Sequence, residues 1–252
     1  MKAKTIQLTH TIPPTCYFVI SSVLIYLGLY KGIPALMAAG VPFIKGYLVF
    51  FYLPFIFMFI TALVLYRREG NPWQLSAFKQ RLNLPRLKRS DWFWILGIIL
   101  VYLILAATTT PIMNNLAQHS FFSPPSFFPA EINPNKAAIS GTMMDYSLAG
   151  QYWLPIVYFI GWFFNIFSEE FLWRGIILPR QVDRFGTKAW LIHGLMWGLW
   201  HFFWKWQLVM LIPFALFFTF AVYKSKNTWV GIISHGALNA IPLIMIIIEV
   251  FR

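Results

Sequence analysis

Long apolar stretches run through most of this sequence, and they restrict the chain to folds that a lipid bilayer can accommodate. Hydrophobic residues make up 59% of the chain and charged residues only 11%, with a mean hydropathy of +0.64. A soluble domain carries about a quarter charged residues, so this chain cannot cover itself with a polar surface. Apolar runs of about 20 residues match the length of a helix that crosses a bilayer. We therefore predict an all-α, polytopic transmembrane helical bundle.

About seven membrane helices (six to eight) can be placed on apolar runs of sufficient length. They cover residues 14–31, 46–66, 91–110, 153–175, 187–206, 207–224 and 228–250. The fifth and sixth runs abut, so the sequence does not define the boundary between them. The first run could also belong to a cleaved signal peptide, but a polytopic chain more often keeps such a segment as its first helix. We treat residues 1–252 as one integral membrane domain and expect its site to lie inside the bundle.

Basic residues cluster in the loops between these runs and predict the orientation of the chain. Residues 67–90 hold seven Lys or Arg residues against one acid, Glu69, and such loops face the cytoplasm. Counting crossings from this loop places the N-terminus, with Lys2 and Lys4, in the cytoplasm and residues 111–152 outside. An anionic leaflet therefore accounts for the net charge of +12. We expect the lipid bilayer, and no nucleic acid, as the partner of the basic residues.

The predicted outer loop, residues 111–152, contains the proline-rich sequence FFSPPSFFPAEINP. This density of proline argues against a regular helix in the loop. Its aromatic side chains predict a segment that rests on the bilayer interface or covers the membrane helices.

Two glutamates and an arginine interrupt the fourth apolar run, in the sequence NIFSEEFLWRG. Ionisable groups inside a bilayer are costly and are candidates for function. On an α-helix Glu170 and Arg174 lie four residues apart on one face, which predicts an ion pair. Glu169 points about 100° away from that face. The three residues could be a purely structural cluster, but the second carboxylate would still need a proton, a cation or a hydrogen bond.

Histidines follow on later runs. His193 and His201 lie in HGLMWGLWH, and His235 and Asn239 share a helical face in SHGALNA. Alone, each is consistent with an interfacial residue or a hydrogen bond between helices. Beside a free carboxylate they predict hydrolysis, because a carboxylate takes a proton from water and an imidazole assists it or binds a divalent metal. An amide can then donate to the oxyanion. The HExxH and GxSxG motifs are absent from the sequence.

Taken in order, these motifs resemble those of the CAAX-protease and bacteriocin-processing family. Its members are intramembrane proteases and include the Ras-converting endopeptidases of prenylated proteins. The family pattern reads EExxxR on one membrane helix, FxxxH on a later one, and HxxxN or HxxxD near the C-terminus. Here the three motifs begin at Glu169, Trp197 and His235, within residues 165–240. Trp197 stands where the family has phenylalanine, an aromatic exchange away from the histidine of that motif.

The resemblance implies a role for each motif residue. It assigns activation of the hydrolytic water to Glu169 and His201. It assigns stabilisation of the oxyanion to His235 and Asn239. Glu170 and Arg174 would support the site, and His193, which has no place in the motifs, is interpreted as structural. Family members are described as metalloproteases or as glutamate proteases that use no metal. Candidate ligands for a divalent metal such as zinc are Glu169, His201 and His235.

The implied function is an intramembrane endopeptidase that acts on a peptide or membrane-protein substrate, near its C-terminus or near a membrane segment. The lack of long soluble extensions favours a prokaryotic plasma-membrane protein. Bacteria generally lack prenylated substrates, so bacteriocin immunity or peptide maturation is the expected role. A catalytically silent scaffold or regulator of the same fold is one alternative. A proton-coupled transporter is another, although the polar residues have no counterpart in the first half of the chain.

The depths predicted for two site residues conflict with a shared site. By helix rise, Glu169 lies about 24 Å below the outer end of its run and His201 only about 8 Å below the outer end of the next. Residues at these depths can meet only if the helices are staggered or a boundary of the predicted runs is wrong. We therefore expect the boundary between residues 206 and 207 to be misplaced.

Overall fold

A computed structural model describes residues 13–139 and 141–252, and most of them are helical. In these residues the α-helices are α1 (Pro14–Leu27), α2 (Ile33–Ala38), α3 (Phe43–Phe50), α4 (Leu53–Arg68), α5 (Leu75–Arg81), α6 (Arg89–Leu116), α7 (Trp153–Glu169), α8 (Leu178–Phe185), α9 (Ala189–Trp200), α10 (Leu208–Ser225), α11 (Thr228–Asn239) and α12 (Ile241–Val250). Two π-helices lie at Gly28–Gly32 and Glu170–Ile177, and 3₁₀-helices lie at Ala130–Ile132, Gly186–Lys188 and His201–Gln207. The strands β1 (Thr142–Met143) and β2 (Tyr146–Ser147) form a small antiparallel hairpin. The predicted cytoplasmic lysines Lys2 and Lys4 lie outside the described residues.

Five continuous helical stretches in the described part of the chain are long and apolar enough to cross a membrane. They are Pro14–Ala38, Phe43–Arg68, Arg89–Leu116, Trp153–Ser225 and Thr228–Val250. These stretches confirm the prediction of an all-α, polytopic helical bundle. They do not confirm the number of about seven, because the fourth stretch has 73 residues and contains several helices.

Within that fourth stretch, α9 and α10 form a tight antiparallel hairpin. A Cβ atom on Gly194 would lie 2.9 Å from the Cα of Leu216, and one on Gly198 would lie 2.9 Å from the Cα of Ile212. Only glycine allows two backbones to approach so closely. The chain reverses in His201–Gln207, where Trp204 leaves the helical conformation with φ −111° and ψ 52°. The predicted run 187–206 was therefore too long, because α9 already ends at Trp200.

The two C-terminal helices run antiparallel to α7 and bring the last motif beside the first. Trp162 on α7 donates from Nε1 to the carbonyl of Gly236 on α11 at 3.1 Å. At the far end, the backbone N–H of Gly150 donates to the carbonyl of Val250 at 3.3 Å. Because α11 packs against α7, and α10 packs against both α9 and α11, the three motif-bearing segments surround one interior region.

The proline-rich segment after α6 covers the end of the bundle where α9 turns into α10. Phe128 is fully buried, with its ring edge-on to Tyr30 at 5.4 Å and to Trp204 at 5.9 Å. The segment thus covers the membrane helices, one of the two placements predicted. The expectation that no regular helix forms in residues 111–152 was wrong for the first six, because α6 continues through Pro111 to Leu116.

A charged cluster of Glu69, Arg81 and Arg180 connects the helices at the opposite end of the bundle. The carboxylate of Glu69 accepts from Arg81 at 2.5 Å and from Arg180 at 2.8 Å. Arg81 also donates from Nη1 to the carbonyl of Gly175 at 2.6 Å. Pro179, four residues after Gly175, has no N–H for that carbonyl, so the guanidinium replaces the missing helical donor. Burial raises the pKa of Glu69, but the hydrogen bonds and charges of the two arginines outweigh it and hold the pKa below 4.5.

Glu69→Gln should lower the free energy of unfolding by about 1–3 kcal/mol, the range for hydrogen bonds to charged groups. The folded-state pKa of Glu69 lies below the unfolded value. Its contribution is therefore complete above about pH 4.5 and is lost as the pH falls through the folded-state pKa. Thermal unfolding in detergent micelles, from neutral pH to about pH 3, should show the gap between wild type and variant closing towards acid.

The matched control for this change is Glu249→Gln. Its partner Arg252 is 73% exposed, so loss of that pair should leave stability unchanged. A gap between wild type and Glu69→Gln that stays constant down to the acid limit contradicts the role given to Glu69.

Candidate active site

The first motif lies where α7 changes into a π-helix. Glu169 is the last residue of α7, and Glu170 opens the π-helix Glu170–Ile177, in which every residue is buried. Wide π turns are rare, and many of those that occur in proteins lie at functional sites. The freed carbonyl of Gly175, which bonds to Arg81, lies inside this segment. The widened turn is thus supported by a contact from the charged cluster at the end of the bundle.

The carboxylate of Glu169 is held by two neutral donors. Asn165, one helical turn earlier, donates from Nδ2 to Oε1 at 3.1 Å. Trp197 on α9 donates from its indole Nε1 to Oε2 at 2.7 Å. Glu169 is only 2% exposed and forms no ion pair with any described residue. Its remaining lone pairs are therefore available to a water molecule.

Glu170 is the centre of a separate buried ionic group. Its Oε1 lies 3.1 Å from Nη1 of Arg174 and 3.0 Å from Nδ1 of His235. The guanidinium of Arg174 lies 3.7 Å from the centre of the Trp197 ring and 4.5 Å from that of Phe218. Such cation–π contacts stabilise a charge that burial has deprived of water. The predicted partners thus meet, and His235 joins them.

His201 is oriented by the backbone of its own motif. Its Nδ1 lies 2.9 Å from the carbonyl of Trp197, one turn before it. Because a carbonyl can only accept, Nδ1 carries the hydrogen in this contact and Nε2 is left as the basic nitrogen. His193, by contrast, is fully buried and bonded through Nδ1 to Gln181 at 2.6 Å.

A cavity of about 200 Å³ is lined by all four residues predicted to be catalytic. They come from α7, from the turn after α9 and from α11, and they are Glu169, His201, His235 and Asn239. Asn239 lies at the rim and donates from Nδ2 to the carbonyl of His235 at 3.1 Å. His193 does not line the cavity. The depth conflict disappears because the chain reverses at His201–Gln207, at the level of the cavity.

The donor set does not form a metal site as it is arranged. In the described ranges 13–139 and 141–252, no group of three or more His, Cys, Asp or Glu side chains is close enough to hold a metal ion. We therefore derive no step of the reaction through a metal.

Two residues of the site were not identified from the sequence. Asn165 lies four residues before Glu169, a spacing at which helical side chains meet, so its role could have been inferred. In the sequence Trp197 stands out only as an aromatic exchange, whereas in the structure its indole N–H forms the shorter of the two bonds to Glu169. That bond joins two helices, and residue spacing within a helix carries no information about it.

Comparison with known proteins agrees with the arrangement of the three motifs. A family model described as type II CAAX prenyl endopeptidase Rce1-like matches residues 151–241, a range that contains every motif residue. A search of the curated proteins found no significant match, nor did a search of the solved structures. The family match confirms the resemblance carried by the motifs. By this match, residues 151–241 are similar to the Rce1-like family of CAAX-type proteases.

Proposed function

We propose that this protein is an intramembrane endopeptidase in which Glu169 and His201 activate the hydrolytic water. The observation that carries the proposal is the shared cavity, which is lined by side chains from all three motifs. A cavity inside a bundle of membrane helices receives substrates that lie in or on the bilayer. The substrate class is therefore a membrane-associated peptide or the membrane-proximal part of a protein.

The reaction begins with a water molecule between Glu169 and His201. Glu169 takes a proton from this water, and the water oxygen attacks the carbonyl carbon of the scissile peptide bond. His201 accepts a hydrogen bond from the same water at Nε2. The proton then passes to the leaving amine as the C–N bond breaks. One product ends in a new carboxylate and the other begins with a new amine.

The oxyanion that forms during attack is stabilised from the other wall of the cavity. Asn239 donates one amide hydrogen to the carbonyl of His235 and keeps a second for the substrate. His235, whose Nδ1 is bonded to Glu170, supports the oxyanion beside Asn239. Arg174 holds Glu170 in place through the buried ion pair. Glu170 and Arg174 therefore act on the reaction through His235.

The physiological setting is proposed from the charge pattern and the substrate class. The basic loop 67–90 supports an orientation with the N-terminus in the cytoplasm, in a prokaryotic plasma membrane. Bacteriocin immunity or maturation of a small peptide would use an enzyme that cleaves within the bilayer. A silent scaffold or a proton-coupled transporter would contain the same fold without peptide cleavage, and a search for cleaved peptides separates these outcomes.

Peptidomics of membrane fractions tests the proposal and identifies the substrate in the same experiment. Cells that carry wild-type protein should contain cleaved membrane-associated peptides whose uncleaved precursors accumulate in cells carrying Glu169→Gln. The matched control is Glu131→Gln, an exposed acid in the covering segment, which should resemble wild type. Equal peptide populations in wild-type and Glu169→Gln cells would contradict the proposal and favour the scaffold.

A further inference from the structure

Trp197 contacts residues from all three motifs. Its indole Nε1 donates to Oε2 of Glu169 at 2.7 Å, and the face of its ring lies 3.7 Å from the guanidinium carbon of Arg174. Its backbone carbonyl accepts from Nδ1 of His201 at 2.9 Å. Its ring is also edge-on to His235 at 6.0 Å. One residue thus connects both proposed water-activating groups with the buried ionic group.

We propose that Trp197 is a positioning residue for the hydrolysis, which rests on the function proposed above. Its indole N–H fixes Oε2 of Glu169 so that the carboxylate faces the water instead of rotating. The terminal torsion of a glutamate is broad, and the single bond from Asn165 to Oε1 does not fix it. A second hydrogen-bond donor, the indole N–H on Oε2, does fix this torsion. The orientation of the base is therefore set by a neighbouring helix as well as by α7.

The rigidity of Trp197 suits this role. Its side chain is 2% exposed, and its ring packs 5.0 Å from Phe218 and 6.3 Å from Phe214. An aromatic ring in such an environment has few accessible rotamers, so its N–H direction is fixed before substrate binds. A donor held in place in advance costs no reorganisation during the reaction.

The exchange at this position makes the inference specific to this chain. The family pattern has phenylalanine where this sequence has Trp197, and phenylalanine offers an aromatic face without a donor. Trp197→Phe would keep the ring against Arg174 and the backbone carbonyl for His201. It would remove the hydrogen bond to Glu169 together with part of the buried ring. A control for the lost ring volume is therefore needed to isolate the proposed function of the indole N–H.

A pair of matched substitutions tests the proposal in proteoliposomes, with a peptide identified by the peptidomics experiment. Trp197→Phe should lower kcat by about 10-fold to 100-fold, the range for loss of a hydrogen bond to a charged group. Its KM should stay within about 2-fold, because the bond orients the base and does not bind substrate. The control is Trp173→Phe, since Trp173 is fully buried and its indole nitrogen has no hydrogen-bond partner among the described residues.

The outcomes of this comparison are distinct. Trp173→Phe should keep its kcat within about 2-fold of wild type. Replacing Trp197 by benzothienylalanine, which has sulfur in place of the N–H and keeps the ring shape, should reproduce the loss seen in Trp197→Phe. A wild-type kcat in Trp197→Phe would overturn the proposal, as would a full kcat in the benzothienylalanine protein.

A spectroscopic measurement tests the contact independently of cleavage. In protein labelled with ¹⁵N at the indole nitrogens, Trp197→Phe identifies the Trp197 N–H resonance. Glu169→Ala should move that resonance towards the position of an indole without a hydrogen bond, and Glu131→Gln should leave it in place. If wild type cleaves no peptide but the resonance responds, the proposed function fails while the contact stands. A resonance that ignores Glu169→Ala overturns the positioning role even when cleavage is normal.

Discussion

Glu169→Gln and His201→Ala should each slow peptide hydrolysis by about 1,000-fold, within the range for loss of a general base. The double variant should be no slower than the worse of the two single variants. Both side chains act on one water, and removing either leaves that water inactive, so their effects are not additive. Rates measured in proteoliposomes with a peptide found by peptidomics provide the three values needed.

Two exposed residues of the covering segment serve as controls for these substitutions. Glu131→Gln and His119→Ala remove the same chemical groups outside the cavity and should retain the wild-type rate. A double variant whose loss equals the product of the single losses would show that Glu169 and His201 act on separate steps. That result would contradict the assignment of one shared water.

Arg174→Met should lower the free energy of unfolding by about 3–5 kcal/mol, the cost of removing one partner from a buried ion pair. Both side chains of the Arg174–Glu170 pair are 0% exposed, so the carboxylate that is left keeps only its contact with His235 and has no water to replace the guanidinium. Methionine keeps the apolar stem between Trp197 and Phe218, which limits the loss of packing. Thermal or denaturant unfolding in detergent micelles measures the change.

Two further variants separate charge from packing in this result. Arg252→Met removes the arginine of the Arg252–Glu249 ion pair, whose side chain is 73% exposed. This change should not alter stability measurably. Adding Glu170→Gln to Arg174→Met removes the uncompensated charge and should restore part of the lost stability. If the second change lowers stability further instead, the loss came from packing and the ionic explanation is wrong.

The part of the site that could be predicted from the sequence is the part that depends on spacing along one helix. Glu170 and Arg174 are four residues apart, and they meet even though the segment is a π-helix. The polar residues of the later runs could be recognised because charged and hydrogen-bonding side chains are costly inside a bilayer. The all-α bundle followed from apolar length alone, because a helix satisfies its own backbone groups.

The parts of the fold and of the site that could not be predicted from the sequence depend on contacts between helices. The turn His201–Gln207 has the sequence HFFWKWQ, which contains neither glycine nor proline and does not interrupt the apolar run. A hydropathy pattern therefore continues through it, and the predicted helix extended too far. The bond from Trp197 to Glu169 crosses between α9 and α7. The number of membrane crossings also depends on how the helices of the fourth stretch, Trp153–Ser225, fold back on one another.

The most direct test of the account is the fate of water during cleavage. Purified protein in proteoliposomes would be incubated with its peptide in water enriched in ¹⁸O, and the products analysed by mass spectrometry. Wild type and Glu131→Gln should release two fragments, with ¹⁸O in the new C-terminal carboxyl group, and Glu169→Gln should release neither. Release of the same labelled fragments by Glu169→Gln at the wild-type rate would contradict the central claim that Glu169 activates the hydrolytic water.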